Sequence, residues 1–339
     1  MADAFLALSA EDRREALAVA SAATGRPVHL LEKDVWVVWV LDVLFTSPFG
    51  SDLVFKGGTS LSKAYGVIGR FSEDVDLTYD IRAIAGDLVA DADDALPPNR
   101  SQEQKWSKTI KARLAEWVKT QVAPLVEAAL AANRLQAHVR VEAEKVFIDY
   151  DALAAGTGYV SPSVMLEFGA RATGEPWQVV PVACDAAASL PDLVFPAATP
   201  QVMLAERTFW EKATAIHVFC AQGRFRGADR FARHWHDVVR LDDAGYAAKA
   251  IADRALAKAV AAHKSMFFAE KDGAGAPIDY HAAVSGHLQL APDGSALDLL
   301  AADYARMLED GLLEDGAESF DDLIARCQQI QSAANMAQA

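Results

Sequence analysis

The chain has 339 residues, 52% of them hydrophobic and 23% charged, a globular balance that excludes a mainly disordered protein and leaves room for two domains. Its formal net charge of −15 argues against a protein that coats nucleic acid non-specifically, although a local basic track stays compatible with it. Cys184, Cys220 and Cys327 are odd in number and lack metal-ligand spacing, so reduced thiols in a cytoplasm are expected. No basic-then-apolar leader is read at the N-terminus, and Val35–Phe45, which carries Asp42, is too short to span a bilayer.

Taken in chain order, Glu11–Ala23 predicts an Ala-rich amphipathic helix stopped by Gly25 and Pro27. Leu30–Phe45 predicts a second helix, with Leu31, Val35, Val38 and Trp39 at helical spacing. Leu53–Phe55 reads as a short strand leading into Lys56, and Leu61, Ala64, Tyr65 and Ile68 form the stripe of a short helix. Val75, Leu77 and Tyr79 alternate with Asp74, Asp76 and Thr78, the period of a half-buried strand. Asp80–Arg100 reads as an acidic connection, and Gln102–Ala132 as a helix that Pro124 can kink. His138–Val146, Ser163–Phe168 and Trp177–Val182 predict three further strands. Beyond Pro200 the pattern is helical throughout: Gln201–Ala221, Arg226–Ala244, Tyr246–Lys264, Gly294–Leu308 and Phe320–Ala334, with a loop at Gly273–Pro277. The shift from mixed to helical composition places a domain boundary at residues 199/200, giving units 1–199 and 200–339.

The residues that can carry chemistry concentrate in Lys56–Leu77. Side chains two apart on a strand share a face, so Asp74 and Asp76 converge and repel unless a cation separates them. Lys56-Gly57-Gly58-Thr59-Ser60 is not a Walker loop, yet a glycine pair opening a helix lets backbone N–H groups approach an anion. Each feature also has a plain reading: a tight strand-to-helix turn, a Thr59 or Ser60 helix cap, a polar strand edge. Together they point to a divalent metal and phosphate. Mg²⁺ (or Mn²⁺) suits two carboxylates with substrate phosphate completing its octahedron.

The run Lys56-Gly57-Gly58-Thr59 followed by Arg70-Phe71-Ser72-Glu73-Asp74-Val75-Asp76 resembles the first motif of the DNA polymerase β-like nucleotidyltransferases, and in detail the AbiEii/AbiGii toxin branch. Thr208-Phe209-Trp210-Glu211-Lys212, Arg233-His234-Trp235-His236-Asp237 and Glu32-Lys33-Asp34 resemble other segments of that branch, so the likeness covers about residues 30–245. The resemblance implies an α+β fold: a mixed β-sheet nucleotidyltransferase domain with flanking helices, then an all-α C-terminal domain. It implies that Asp74 and Asp76 bind metal and that Lys56 and Gly57 through Ser60 surround the triphosphate. Lys212 would approach the phosphates from the helical domain, with Asp237 orienting it or contacting nucleotide, in a cleft between domains. Ser72 lies beside the metal aspartates, where modification would add repelling charge. Glu167, within Met165–Phe168, is the candidate third carboxylate; Glu144 and Asp149 are weaker ones.

On this reading the protein transfers NMP from an NTP to an acceptor hydroxyl. The resemblance implies the 3′ end of tRNA as acceptor and a cognate antitoxin as partner, in a cytoplasmic protein with no membrane contact. RNA is expected along the basic helix Lys105, Lys108, Lys111, Arg113 and Lys119 and the arginines 224, 226, 230 and 233. The rival readings are a protein or small-molecule acceptor, and an inactive nucleotide-binding or partner-binding module. Lys212 as an ordinary residue at a core edge and Arg233–Asp237 as an i, i+4 ion pair stay open as structural alternatives.

Overall fold

The structure is a computed structural model that describes residues 3–70, 72, 74–90, 92, 94–155, 160–223, 230–309, 313 and 318–338. Its helices run α1 (Ala10–Thr24), α2 (Val28–Phe45), α3 (Gly57–Lys63), α4 (Ile81–Val89), α5 (Arg100–Trp117), α6 (Ala123–Ala132), α7 (Ala205–Gln222), α8 (Arg233–Asp243), α9 (Tyr246–Ala252), α10 (Arg254–Phe267), α11 (Tyr280–Ala283), α12 (Gly294–Glu309) and α13 (Phe320–Gln338). Its strands are β1 (Asp3–Ala4), β2 (Leu53–Lys56), β3 (Val75–Tyr79), β4 (Ala137–Glu142), β5 (Lys145–Tyr150), β6 (Ser163–Gly169), β7 (Trp177–Val179), β8 (Val182–Ala183), β9 (Leu193–Val194), β10 (Ala197–Ala198) and β11 (Gln201–Met203). Two compact units result: residues 1–64, 72–91 and 108–202, and residues 65–71, 92–107 and 203–339. Segments 65–71 and 92–107, which composition alone groups with the first half of the chain, thus belong to the second unit.

The first unit is built on a mixed seven-stranded sheet of order β4-β5-β6-β3-β2-β11-β7. β2 and β3 are antiparallel, β3 and β6 parallel, and β5 antiparallel to both β4 and β6. Leu53, Val54 and Phe55 are buried on both faces, as an interior strand requires, whereas β5 and β6 alternate between buried and half-open residues. α2 is apolar over most of its length and becomes the core helix, with Leu31, Val38, Leu41 and Leu44 sealed from solvent. Trp117 stacks on Tyr79 at 4.1 Å and meets Phe168 edge-on, which fixes the end of α5 against the strands.

Several sequence-based expectations need correction. The alternation over His138–Val146 is not one strand: the chain reverses at Ala143, which takes φ 53°, and β4 and β5 form a hairpin. The acidic connection after Asp80 holds α4, whose first turn is capped by the Asp80 carboxylate accepting from Arg82 N–H. The stripe Leu61–Ile68 outruns its helix, because α3 stops at Lys63. The stretch Gln102–Ala132 is interrupted ahead of Pro124, whose missing donor fits the π-turn over Val118–Val122 that separates α5 from α6. Trp177–Val182 divides into β7 and β8, Gln201–Ala221 into β11 and α7, and Tyr246–Lys264 breaks at Asp253, which caps α10.

The second unit is helical. Phe209, Trp210, Ala213 and Ile216 bury one face of α7. Its position is fixed by Trp210 Nε1 donating to the Ala250 carbonyl, and that of α8 by Trp235 Nε1 donating to the Leu290 carbonyl. α8 begins at Arg233, later than Arg226, and Arg224 and Arg226 lie outside the described residues. Asp303 accepts the N–H groups of Arg230 and Ala232 ahead of α8. Among the described residues no helix is long and apolar enough to cross a membrane.

Candidate active site

β2 delivers Lys56 to the start of α3, where Gly57 takes φ 79°. Two constraints make that position glycine. The left-handed conformation disfavours a side chain, and a Cβ there would overlap Oδ2 of Asp76. The Asp76 carboxylate therefore lies directly over the backbone that opens α3. No side chain caps the first turn of this helix. Thr59 and Ser60 are buried and spend their hydroxyls internally: Thr59 Oγ1 donates to the Asp74 carbonyl and lies 3.0 Å from Ser72 Oγ, and Ser60 Oγ donates to the Gly57 carbonyl at 2.9 Å. These bonds tie α3 to the aspartate segment and leave the helix's backbone N–H groups, not the two hydroxyls, as the groups suited to an anion.

Strand register adds what spacing could not supply. Lys56 pairs with Asp76, Asp76 with Glu167, and Glu167 with Lys145. Paired residues on neighbouring strands point to one face, so the four side chains form a row across β2, β3, β6 and β5 with charges +, −, −, +. The opposite face carries Val75, Leu77, Leu166, Phe168 and Val146, all buried. Glu167 thus shares the face of Asp76, as a third carboxylate should, but its Oε2 is 2.8 Å from Lys145 Nζ and its side chain is 44% exposed. The Lys145 ammonium is held above the ordinary lysine range by its hydrogen bond to Glu167 and, against the pull of burial, by the charges of Glu167, Asp74 and Glu144. Among the described residues no three His, Cys, Asp or Glu side chains come together as a metal cage. The donor set fits a hard cation taken by the Asp74/Asp76 pair with ligands left for phosphate oxygens. Glu144 and Asp149 engage elsewhere: Glu144 is 3.9 Å from Lys111, and Asp149 accepts from Ser163 and pairs with Arg140.

A second polar cluster lies within the helical unit. Asp237 on α8 is fully buried, with Arg70 Nε donating to Oδ1 and Nη2 to Oδ2, each at 2.7 Å. Lys212 Nζ on α7 lies 2.8 Å from Oδ2, and His236 Nδ1 is 3.4 Å from Oδ1. Burial would push the Asp237 carboxyl up, but Arg70 and Lys212 override it and hold it well below the usual carboxylate range. His234 is held neutral, its ring basicity lowered by burial and by Lys212 and Arg233. Lys212 and Asp237 are thus paired directly, and Asp237 has no exposed surface to offer a nucleotide. Sequence reasoning missed Arg70 as its two-point partner, although Arg70 stood inside the quoted motif.

It also missed a charge quartet in the first unit, buried at Lys63 and Asp34 and half-open at Arg26 and Asp185. Lys63 Nζ, at the end of α3, is 2.5 Å from both Asp34 Oδ1 and Asp185 Oδ1. Asp185 also pairs with Arg26, and its N–H donates to Asp34 Oδ2 at 2.7 Å. The only sequence signal was three consecutive charged residues, Glu32-Lys33-Asp34, inside an otherwise apolar helix.

A glycine-opened helix set against an Asp-x-Asp strand on the half-open face of a mixed sheet is the architecture of a nucleotidyltransferase. The family model described as nucleotidyl transferase AbiEii toxin, type IV toxin–antitoxin system, matches residues 39–326, and the chain belongs to that family. Among solved structures, the nucleotidyltransferase toxin MenT4 from Mycobacterium tuberculosis is 17% identical, covering 94% of this chain and 89% of its own, with a TM-score of 0.46. JHP933 from Helicobacter pylori is 14% identical, covering 91% and 92%, with a TM-score of 0.40. No curated protein matches the chain.

Proposed function

We propose that this toxin-family enzyme transfers NMP from an NTP to an acceptor hydroxyl, with tRNA 3′ ends as the acceptor class and an antitoxin as its natural restraint. The observation that carries the chemistry is Asp76 packed over Gly57, which brings a carboxylate and the backbone of the glycine turn to one point. The acceptor oxygen bonds to the α-phosphorus, the bond from that phosphorus to the bridging oxygen breaks, and pyrophosphate leaves with that oxygen. The acceptor proton passes to solvent or to a carboxylate of the row. A divalent ion, Mg²⁺ or Mn²⁺, held by Asp74 and Asp76 would neutralise triphosphate charge. Gly57, Gly58 and the first turn of α3 would meet phosphate oxygens through N–H groups, and Lys56 would supply a cation beside Asp76. Ser72, tied to Thr59, stands where added phosphate would repel the triphosphate.

Lys212 is proposed to serve the same reaction as a cation toward phosphate, positioned by Asp237. The exposed Lys108, Lys119 and Lys111, the last held only by Glu144 at 3.9 Å, support an RNA acceptor, whereas Arg113 is tightly paired with Asp87. A cytoplasmic location follows from that acceptor.

The test is incubation with each labelled NTP, Mg²⁺ and total tRNA. Label in RNA is expected, and Asp76→Asn should lower it by at least about a thousandfold, the scale on which preorganised charge contributes to catalysis. Label in protein instead would replace the acceptor and keep the chemistry. An unaltered rate in Asp76→Asn would refute the metal assignment.

A further inference from the structure

Two carboxylates on one face, Asp76 and Glu167, are adjacent by register, and each has an ammonium-bearing neighbour on its outer side. The Lys145 side of this row is the more informative. Lys145 leaves the hairpin turn and reaches Glu167 at 2.8 Å, with the charges of Asp74 and Glu144 also bearing on its ammonium. An ammonium paired with Glu167, which is itself in register with Asp76, holds the place that a second metal ion would need. Glu144 Oε2, in the hairpin turn next to Lys145, is buried without a hydrogen-bond partner. No third carboxylate joins Asp74 and Asp76 in a cage among the described residues.

We propose that Lys145 supplies the second positive charge of this site, so that the enzyme works with a single divalent ion at Asp74 and Asp76, and Glu167 positions Lys145 instead of ligating metal. The proposal rests on the nucleotidyltransferase reading above. The consequence is chemical. A fixed ammonium can neutralise the α-phosphate or the acceptor oxygen without the ligand exchange of a hydrated ion, but it cannot activate a bound hydroxyl as strongly as a metal does. Removing Lys145 should also leave Glu167 without its cation beside Asp76, an acidic pair that recruits a cation from solution.

The experiment counts Mn²⁺ bound per chain by titration under electron paramagnetic resonance, with a non-hydrolysable NTP analogue present. One tight Mn²⁺ is expected for the wild type. Lys145→Gln should gain a second site at least tenfold tighter than any weak second site in the wild type, and Lys145→Gln/Glu167→Gln should lose it again. Lys145→Arg, which keeps the charge, should stay at one ion. Transfer by Lys145→Gln should be depressed at low Mn²⁺ and recover as the second site fills. Two comparably tight ions in the wild type would overturn the proposal, as would one ion in Lys145→Gln. No tight Mn²⁺ in the wild type, or a tight ion that Asp74→Asn leaves in place, would overturn the underlying metal reading as well, and is distinguishable from either. Lys145 is 36% exposed at its side chain, and matching thermal melts of the variants establish that the fold is kept.

Discussion

Gly57 and Asp76 show how closely one residue can set a site. Replacing Gly57 by alanine forces a side chain into a left-handed backbone, which costs roughly 1 kcal/mol, and pushes the Asp76 carboxylate from its place. Gly57→Ala should therefore keep its fold with a small drop in melting temperature while Mn²⁺ affinity falls at least about tenfold, the equivalent of 1.4 kcal/mol. Unchanged Mn²⁺ affinity would show that Asp76 does not ligate from this position. Asp237 makes a contrasting case, because its contribution is to stability first. Its folded carboxyl lies below the unfolded value of 3.8, so the stabilisation is present above that value and disappears as pH falls through the folded one. Asp237→Asn leaves Arg70 and Lys212 facing a neutral amide in a buried setting, a loss of about 3–5 kcal/mol. Urea titrations at neutral and acid pH should find the deficit large at pH 7 and shrinking on acidification.

At the scale of elements, α3 is held at both ends. Gly57 packs it against Asp76, and Lys63 pins its last turn between Asp34 of α2 and Asp185. Burial by itself lowers the Lys63 ammonium's affinity for its proton, but two carboxylates at 2.5 Å outweigh it and raise that affinity above the usual lysine range. Lys63→Met removes one charge from a balanced set of two cations and two anions and should cost about 3–5 kcal/mol in urea melts. Adding Asp34→Asn should return part of that loss; no return would mean the two groups are not coupled. The same helix α2 carries a pH response. Glu32 is buried, accepts the Leu153 N–H, and has its pKa pushed by burial from 4.5 to about 7, with that N–H and Arg13 opposing. The folded state thus binds this proton more tightly than the unfolded state. The associated stability is complete below 4.5 and is lost as pH rises through about 7, for a total of about 3 kcal/mol. Glu32→Gln should flatten that decline in thermal melts taken across this range.

These elements also mark what the amino-acid pattern could and could not reveal. The β3 alternation and the glycine turn were legible because each is a local rule, period two and φ freedom, acting within a few residues. The β4–β5 hairpin was not: its only mark is a change of phase, with Val139, Val141 and Ala143 apolar at odd positions and Val146 and Ile148 at even ones, and no Gly, Asn or Pro announces the reversal that Ala143 makes at φ 53°. Reading that stretch as one strand hid Lys145 from Glu167. The Lys63 quartet and the Arg70–Asp237 pair join residues 29 to 167 positions apart, and periodicity carries no information at that range. Asp74, Asp76 and Glu167 could be nominated as a set. Only register shows that lysines flank the pair at its two ends.

For the whole molecule, the net charge of −15 bears directly on the acceptor. A polyanion approaching this protein meets long-range repulsion and must be held by local cations, of which Lys108, Lys111 and Lys119 are exposed in the first unit. If three phosphates of a single-stranded RNA end are neutralised there, the logarithm of the association constant should fall with the logarithm of salt at a slope of about −2. That is shallow beside proteins that coat nucleic acid, and it is measurable by fluorescence anisotropy with a labelled tRNA 3′ fragment. Lys108→Glu/Lys111→Glu should weaken binding and cut the slope to about −1, while leaving Mn²⁺ binding at Asp74 and Asp76 intact. A slope near zero with full transfer to another acceptor would assign these lysines to the solvated surface and move the search to proteins or small hydroxyl compounds, whose capture a strongly acidic enzyme does not oppose.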